Sequence, residues 1–184
     1  MFDQGQFNQA RSTDWTTFKI FLQSKLQWDT EADVVALTDE FFDNYFRDGS
    51  AAMRKFYEDL RVHEAYLSYV VGKKGEIVGE DTKKKSYWPE GKLREWMAYI
   101  DEAYAAIEPL KTTDPDGYAK AERHITLESI SPRYILLDLY STSYSPSELQ
   151  AEREKFREDA SRLGMTRLSE LDELSALWEK WGLE

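Results

Sequence analysis

Between Trp15 and Val71, large apolar residues recur at steps of three and four. Phe18, Phe21, Leu22 and Leu26 share one stripe. Val34, Leu37, Phe41, Phe42, Tyr45 and Phe46 share a second, and Met53, Phe56, Tyr57, Leu60, Leu67 and Val70 a third. A period near 3.6 places each set on one face of a helix, and that face must be buried against other elements. Three helices with almost no spacer therefore open the chain, and no catalytic signature lies on them.

The helices on either side follow from local start and stop signals. Residues 1–12 are polar and rich in Gln and Asn, with Phe2 and Phe7 the only large apolar groups. Helical structure is expected over 13–184. Thr13 or Asp14 can cap the first helix, which runs to about Gln27 before a tight corner at Trp28-Asp29-Thr30. Thr30 is expected to cap the second helix, with Asp33 as its capping-box acid. Asp48-Gly49 ends that helix, and Ser50 is expected to cap the third, which reaches Val71. Pro89 opens a fourth helix carrying Leu93, Trp96, Met97, Ile100, Tyr104 and Ile107. Asp114-Pro115 opens a fifth over about 115–130, which Pro132 is expected to kink or break. The apolar run Tyr134–Tyr140 continues it and reads as buried. Ser145-Pro146-Ser147-Glu148 combines a cap, a first-turn proline and a capping-box Glu, and Gly164 ends the sixth helix. Met165–Leu168 reads as a short extended piece. A last helix holds Leu171, Leu174, Leu177, Trp178 and Trp181. The expectation is an all-α bundle of about seven helices, with Ile77-Val78 as a short strand or hairpin tip. Its short connections favour antiparallel neighbours.

A chain of 184 residues fits one domain with a real core. With 35 acidic against 24 basic side chains, its net charge of −11 argues against nucleic acid and against docking on anionic membrane. Cysteine is absent, which removes disulfides, thiolate nucleophiles and Cys-ligated metals. No run of about 18 apolar residues offers a membrane span. The stretch after Met1 is neither basic nor followed by an apolar segment, so it does not read as a signal peptide.

Candidate chemistry is sparse. His63 falls on the apolar face of the third helix and His124 on a polar helix edge. Neither has a second His at i+4, so the helical zinc pattern is missing. The acidic neighbours Asp29/Asp33, Asp39/Glu40, Asp101/Glu102 and Asp114/Asp116 lie on exposed faces. Glycosidase chemistry instead needs two carboxylates facing each other across a cleft, roughly 5–10 Å apart. No phosphate-cradling glycine loop and no Gly-x-Ser-x-Gly elbow is present. Lys73, Lys74, Lys83, Lys84 and Lys85, in the irregular stretch 72–88, read as a solvated tip or as a seat for an acidic ligand. Trp28, Tyr87 and Trp88 sit at corners or in loops. There they either stack a sugar ring or pack against a helix end. No residue is assigned a catalytic, metal or cofactor role.

The first 67 residues resemble a bacterial family of glycoside-hydrolase-like proteins. Its members look like α-glucuronidases, with a (β/α)8 barrel followed by a C-terminal helical region. Phe2-Asp3-Gln4-Gly5 resembles the end of the last barrel strand and its loop. Asp14–Phe18, Leu22 and Lys25-Leu26-Gln27-Trp28-Asp29 resemble the helix and turn that follow. Asp33, Phe41, Tyr45-Phe46, Ala51-Ala52 and Phe56-Tyr57 resemble the next helix pair. The family's Tyr-Tyr-Gly is replaced here by Tyr45-Phe46-Arg47-Asp48-Gly49. Arg162-Leu163-Gly164-Met165 with Ser169-Glu170 resembles the family's closing helix, and 72–113 shows no match.

By this resemblance the chain is a C-terminal helical piece whose partner is an N-terminal barrel of the same protein. Residues 1–12 would be the stub of a barrel strand and loop, and Leu183-Glu184 either native or a cloning scar. The piece would lack the catalytic carboxylates, which sit at barrel strand ends. It would brace the barrel and line its carbohydrate site, with Asp3, Gln4, Gln6 and then Trp28 meeting the sugar. The parent is expected to be exported, extracellular or periplasmic. The rival reading is a stand-alone helical interaction module with no carbohydrate role.

Overall fold

The computed structural model describes residues 15–72, 82–168 and 173–183. Among these residues the fold is all-α with no strand, and six of its helices run thirteen residues or more. The order is α1 Thr16–Trp28, α2 Val34–Phe46, α3 Ser50–Tyr69, α4 Glu90–Ile107, α5 Leu110–Thr113, α6 Pro115–Leu139, α7 Pro146–Leu163 and α8 Leu174–Trp181. Short 3-10 turns at Arg47–Gly49 and Ser141–Ser143 lead into α3 and toward α7. The extended piece expected after Gly164 is reduced to an isolated bridge between Arg167 and Glu173. Ile77-Val78 lies outside the described residues.

The strongest local signals act as expected. The Ser145 hydroxyl accepts from the Glu148 amide, and the Glu148 carboxylate accepts from the Ser145 amide at 2.8 Å. Gly164 closes α7 at φ 74° in the left-handed region. Asp114 caps α6 through the Gly117 amide at 3.0 Å, with Pro115 in the first turn.

Three local expectations are corrected. Asp33, not Thr30, caps α2, accepting from the Val35 and Ala36 amides at 2.8 and 3.2 Å. A side chain at the cap position itself reaches the orphan amides of the first turn. Ser50 lies inside α3, and its hydroxyl donates to Asp43 at 2.6 Å. Gly49 precedes it at a close approach to α4, where an added Cβ would stand 3.2 Å from the Ala103 carbonyl oxygen. Finally, Pro132 does not break α6, which runs through it for 25 residues. The stretch from Ile125 to Leu137 is almost wholly buried, with α2, α4 and α7 packed on the helix. That burial outweighs the one ladder bond the proline forfeits.

The core has three aromatic centres. Trp15 lies 5.0–5.8 Å, ring to ring, from Phe42, Phe46, Phe56 and Tyr57, where α1, α2 and α3 meet. Its backbone is left-handed at φ 59°, and its amide donates to the buried Glu128 carboxylate at 3.2 Å. His63, Trp88 and Trp96 form the second centre, and Phe156, Trp178, Trp181 and Tyr134 the third. Two residues assigned to apolar stripes are instead open to solvent, Val34 on α2 and Val70 just beyond α3.

Candidate functional site

The corner residues separate sharply. Trp28 ends α1 with 94% of its surface exposed and, among the described residues, makes no ring contact. Trp88 is buried, and its indole N–H donates to the Thr82 carbonyl at 2.7 Å. It is therefore a core residue and not a stacking platform. Tyr87 is half-buried and packs against the core. Asp3, Gln4 and Gln6 lie outside the described residues, as do Lys73 and Lys74.

Both histidines have structural partners. The Tyr87 carbonyl accepts from His63 Nε2 at 2.7 Å, and the Tyr45 carbonyl from His124 Nδ1 at 2.7 Å. A carbonyl only accepts, so those nitrogens carry the protons. The His124 ring stacks on Tyr45 at 3.6 Å between centroids. Burial pushes both imidazoles below their ordinary 6.5, and it outweighs the opposing pull of each carbonyl. Between the folded and unfolded values the unfolded chain binds more protons, so stability rises with pH there. The contribution is complete above pH 6.5 and declines as pH falls below it. Urea midpoints taken at half-unit steps below neutrality are expected to fall, and to fall less steeply in His63→Gln and His124→Gln.

The basic loop is partly tied to the body. Lys83 bonds the Asp138 carboxylate at 2.9 Å and the Tyr134 hydroxyl at 2.7 Å, and Asp138 also holds Lys180. Burial alone would raise the Asp138 carboxyl, but Lys180 and Lys83 hold it below its ordinary value. Three of the acidic residues singled out above pair with basic side chains across the surface. Asp39 meets Arg54 at 3.0 Å, Glu40 meets Lys25 at 3.1 Å, and Glu102 meets Lys55 at 2.9 Å.

Two surfaces remain as candidates. The first is apolar. Val62, Tyr66, Tyr69 and Val70 recur at helical spacing over the C-terminal part of α3 and the residue after it, and all are exposed, Tyr69 by 87%. Trp28 and Val35 add exposed apolar surface around the α1–α2 corner.

The second is a polar cleft of about 640 Å³ between α4, α6 and α7. Its inner part is a network. Arg133 on α6 bonds Asp159 on α7 at 2.7 Å, Asp159 also accepts from Arg162 at 3.1 Å, and Arg162 grips Glu122 with both terminal nitrogens. Tyr104 Oη lies 2.9 Å from Thr126 Oγ1. Arg133 is 8% exposed, and its Nη2 is buried with no hydrogen-bond partner among the described residues. The cleft was not read from sequence, because its residues come from three helices between positions 94 and 159. One signal pointed to it, an arginine inside the apolar run Ile130–Leu137.

Among the described residues no cluster of three or more metal-capable side chains occurs, and no helix is long and apolar enough to cross a membrane. Comparison with protein-family models, curated proteins and solved structures finds no match.

Proposed function

We propose that this domain is a non-catalytic docking module, and that what it docks on is a (β/α)8 barrel of the same polypeptide. The observation that carries the docking reading is the exposed apolar stripe Val62, Tyr66, Tyr69 and Val70. A helix that already buries Met53, Phe56, Leu60 and Leu67 on one face has no folding need for a second apolar face. Contiguous exposed apolar surface marks contact with another surface. The barrel as partner comes from the sequence resemblance alone. In that arrangement Trp28, whose indole is open to solvent, is the described residue able to stack on a sugar at the wall of the site. The rival reading, a stand-alone module that binds another protein and never meets sugar, draws on the same exposed stripe.

Val62→Glu/Tyr69→Glu is expected to leave the melting temperature within about 2 °C of wild type, since exposed positions away from packed features change stability by about 0.5 kcal/mol or less. The same variant is expected to weaken binding to the barrel encoded in frame upstream, expressed separately, by at least about tenfold in titration calorimetry. An in-frame stop and a ribosome site immediately upstream of Met1 would sink the barrel form. Unchanged barrel binding by the double variant would sink the stripe.

A further inference from the structure

Asp138, near the end of α6, has a side chain only 6% exposed, and two ammonium groups share it: Lys83 bonds Oδ2 at 2.9 Å and Lys180 bonds Oδ1. A third cation stands beside them. The Arg153 guanidinium on α7 lies over the Trp181 ring at 5.2 Å, and Trp181 follows Lys180 in α8. Trp181 in turn meets Tyr134, whose ring lies 5.1 Å from the Lys83 ammonium. Cations from the basic loop, α7 and α8 are thus gathered around one carboxylate.

Their charges do not balance. Arg153 is half-buried and, among the described residues, takes part in no hydrogen bond or ion pair. Its helical neighbours three and four places away are Leu149, Gln150, Phe156 and Arg157, none of them acidic. Burial pushes its guanidinium below the ordinary value, and Asp138 opposes that only in part. Three cations against one carboxylate leave a surplus of two positive charges, in a chain whose net charge is −11. The unused donors lie toward solvent. Lys180 is 58% exposed and gives Asp138 one of its three N–H groups. Of the Arg153 nitrogens only Nε is buried and unpaired, so Nη1 and Nη2 remain open to the surface. Lys83, at 21% exposure, adds its charge from a more sheltered position.

The sign and size of the surplus choose the ligand. A carboxylate neutralises one of the two charges. A phosphate monoester carries about −1.5 to −2 near neutral pH and neutralises both. Its oxygens accept from a guanidinium fork and from an ammonium at the same time. A polyanion is disfavoured, because nucleic acid or an anionic membrane would lay its further charges over the acidic remainder of the surface.

We infer that Arg153 and Lys180, with the charge of Lys83 beside them, form a binding site for the phosphate group of a small phosphate monoester. The inference does not rest on the docking reading, since none of these residues belongs to the exposed stripe of α3 or to the α1–α2 corner.

The test is an NMR titration of the full chain at about pH 7.5 and constant ionic strength, following the Trp181 indole signal. Phenyl phosphate and inorganic phosphate are expected to shift it saturably with a Kd of about 1–10 mM, and acetate to bind at least about tenfold more weakly. Lys180→Gln/Arg153→Gln is expected to weaken phosphate binding by at least about tenfold. Lys55→Gln/Lys111→Gln removes the same charge from α3 and α5 and is expected to leave binding within about twofold of wild type. Lys180→Gln alone, at an exposed position, keeps the test open if the first double variant fails to fold, with an expected loss of at least about threefold. No saturable shift at about 50 mM phosphate, acetate binding as tight as phosphate, or equal losses in the two double variants each overturns the site. None of these results bears on whether the α3 stripe binds a barrel.

Discussion

Trp88→Ala is expected to destabilise the protein by about 4 kcal/mol, whereas Trp28→Ala is expected to change stability by less than about 0.5 kcal/mol. Both residues sit at chain corners, and their neighbours explain the difference. Trp88 is 1% exposed, packs against His63 and Trp96, and donates its indole N–H to Thr82. Its own carbonyl accepts from the Tyr140 hydroxyl at 2.8 Å, which ties the segment before α4 to the end of α6. Removing the ring leaves a cavity and takes from the Thr82 carbonyl oxygen one of its two donors, the other being the Lys84 amide at 2.9 Å. Trp28 has almost nothing to lose, since water already covers its ring. In a protein of this length the first change corresponds to a fall in melting temperature of about 8–16 °C. Thermal unfolding followed by circular dichroism separates the two outcomes. A Trp88→Ala protein that melts with wild type would refute this packing around Trp88.

Asp159→Ala is the second large effect, with an expected loss of about 3 kcal/mol. Asp159 and Arg133 are both largely hidden, with side-chain exposures of 16% and 9%. Deleting the carboxylate leaves the guanidinium inside the bundle facing Phe156, with neither Nη1 nor Nη2 paired. An uncompensated buried charge is the costly state, while the pair itself adds little over an apolar replacement of similar volume. Arg133→Met/Asp159→Leu is therefore expected to recover most of the loss, to within about 1 kcal/mol of wild type. Urea denaturation with the slope held constant measures both steps. A double variant as unstable as Asp159→Ala alone would show that the apolar pair does not replace this one.

Features governed by neighbours in sequence were legible in advance. The Ser145–Glu148 box, the Asp114-Pro115 start and the Gly164 stop each depend on groups within a turn of one another, so residue type alone predicts the geometry. The expectation failed where distant packing overrode a local rule. Pro132 breaks a free helix, but here it sits in a segment that other helices clamp from several sides. Trp28 and Trp88 looked alike because what separates them is the presence of Thr82, Tyr140 and His63 in space. The cleft was invisible for the same reason. Asp101, Arg133 and Lys155 are too far apart in the chain for any spacing rule to join them, and the inward placement of Arg133 left only the trace of a charge in an apolar run.

The position of α6 along the chain has a consequence for synthesis. α2, α4, α5 and α7 all rest on this helix, and Tyr134 within it meets Trp181 of α8. It begins only at residue 115. α3 and α4 can meet as they emerge, but the surfaces of α2 and α4 that α6 will cover must wait. At a ribosome speed of about 5–20 residues per second, making this helix alone takes roughly one to five seconds. Through that interval much of the nascent chain's apolar surface has no cover of its own. A chaperone has most to offer this domain while α6, its central helix, is still being made and the facing surfaces of α2 and α4 wait for cover.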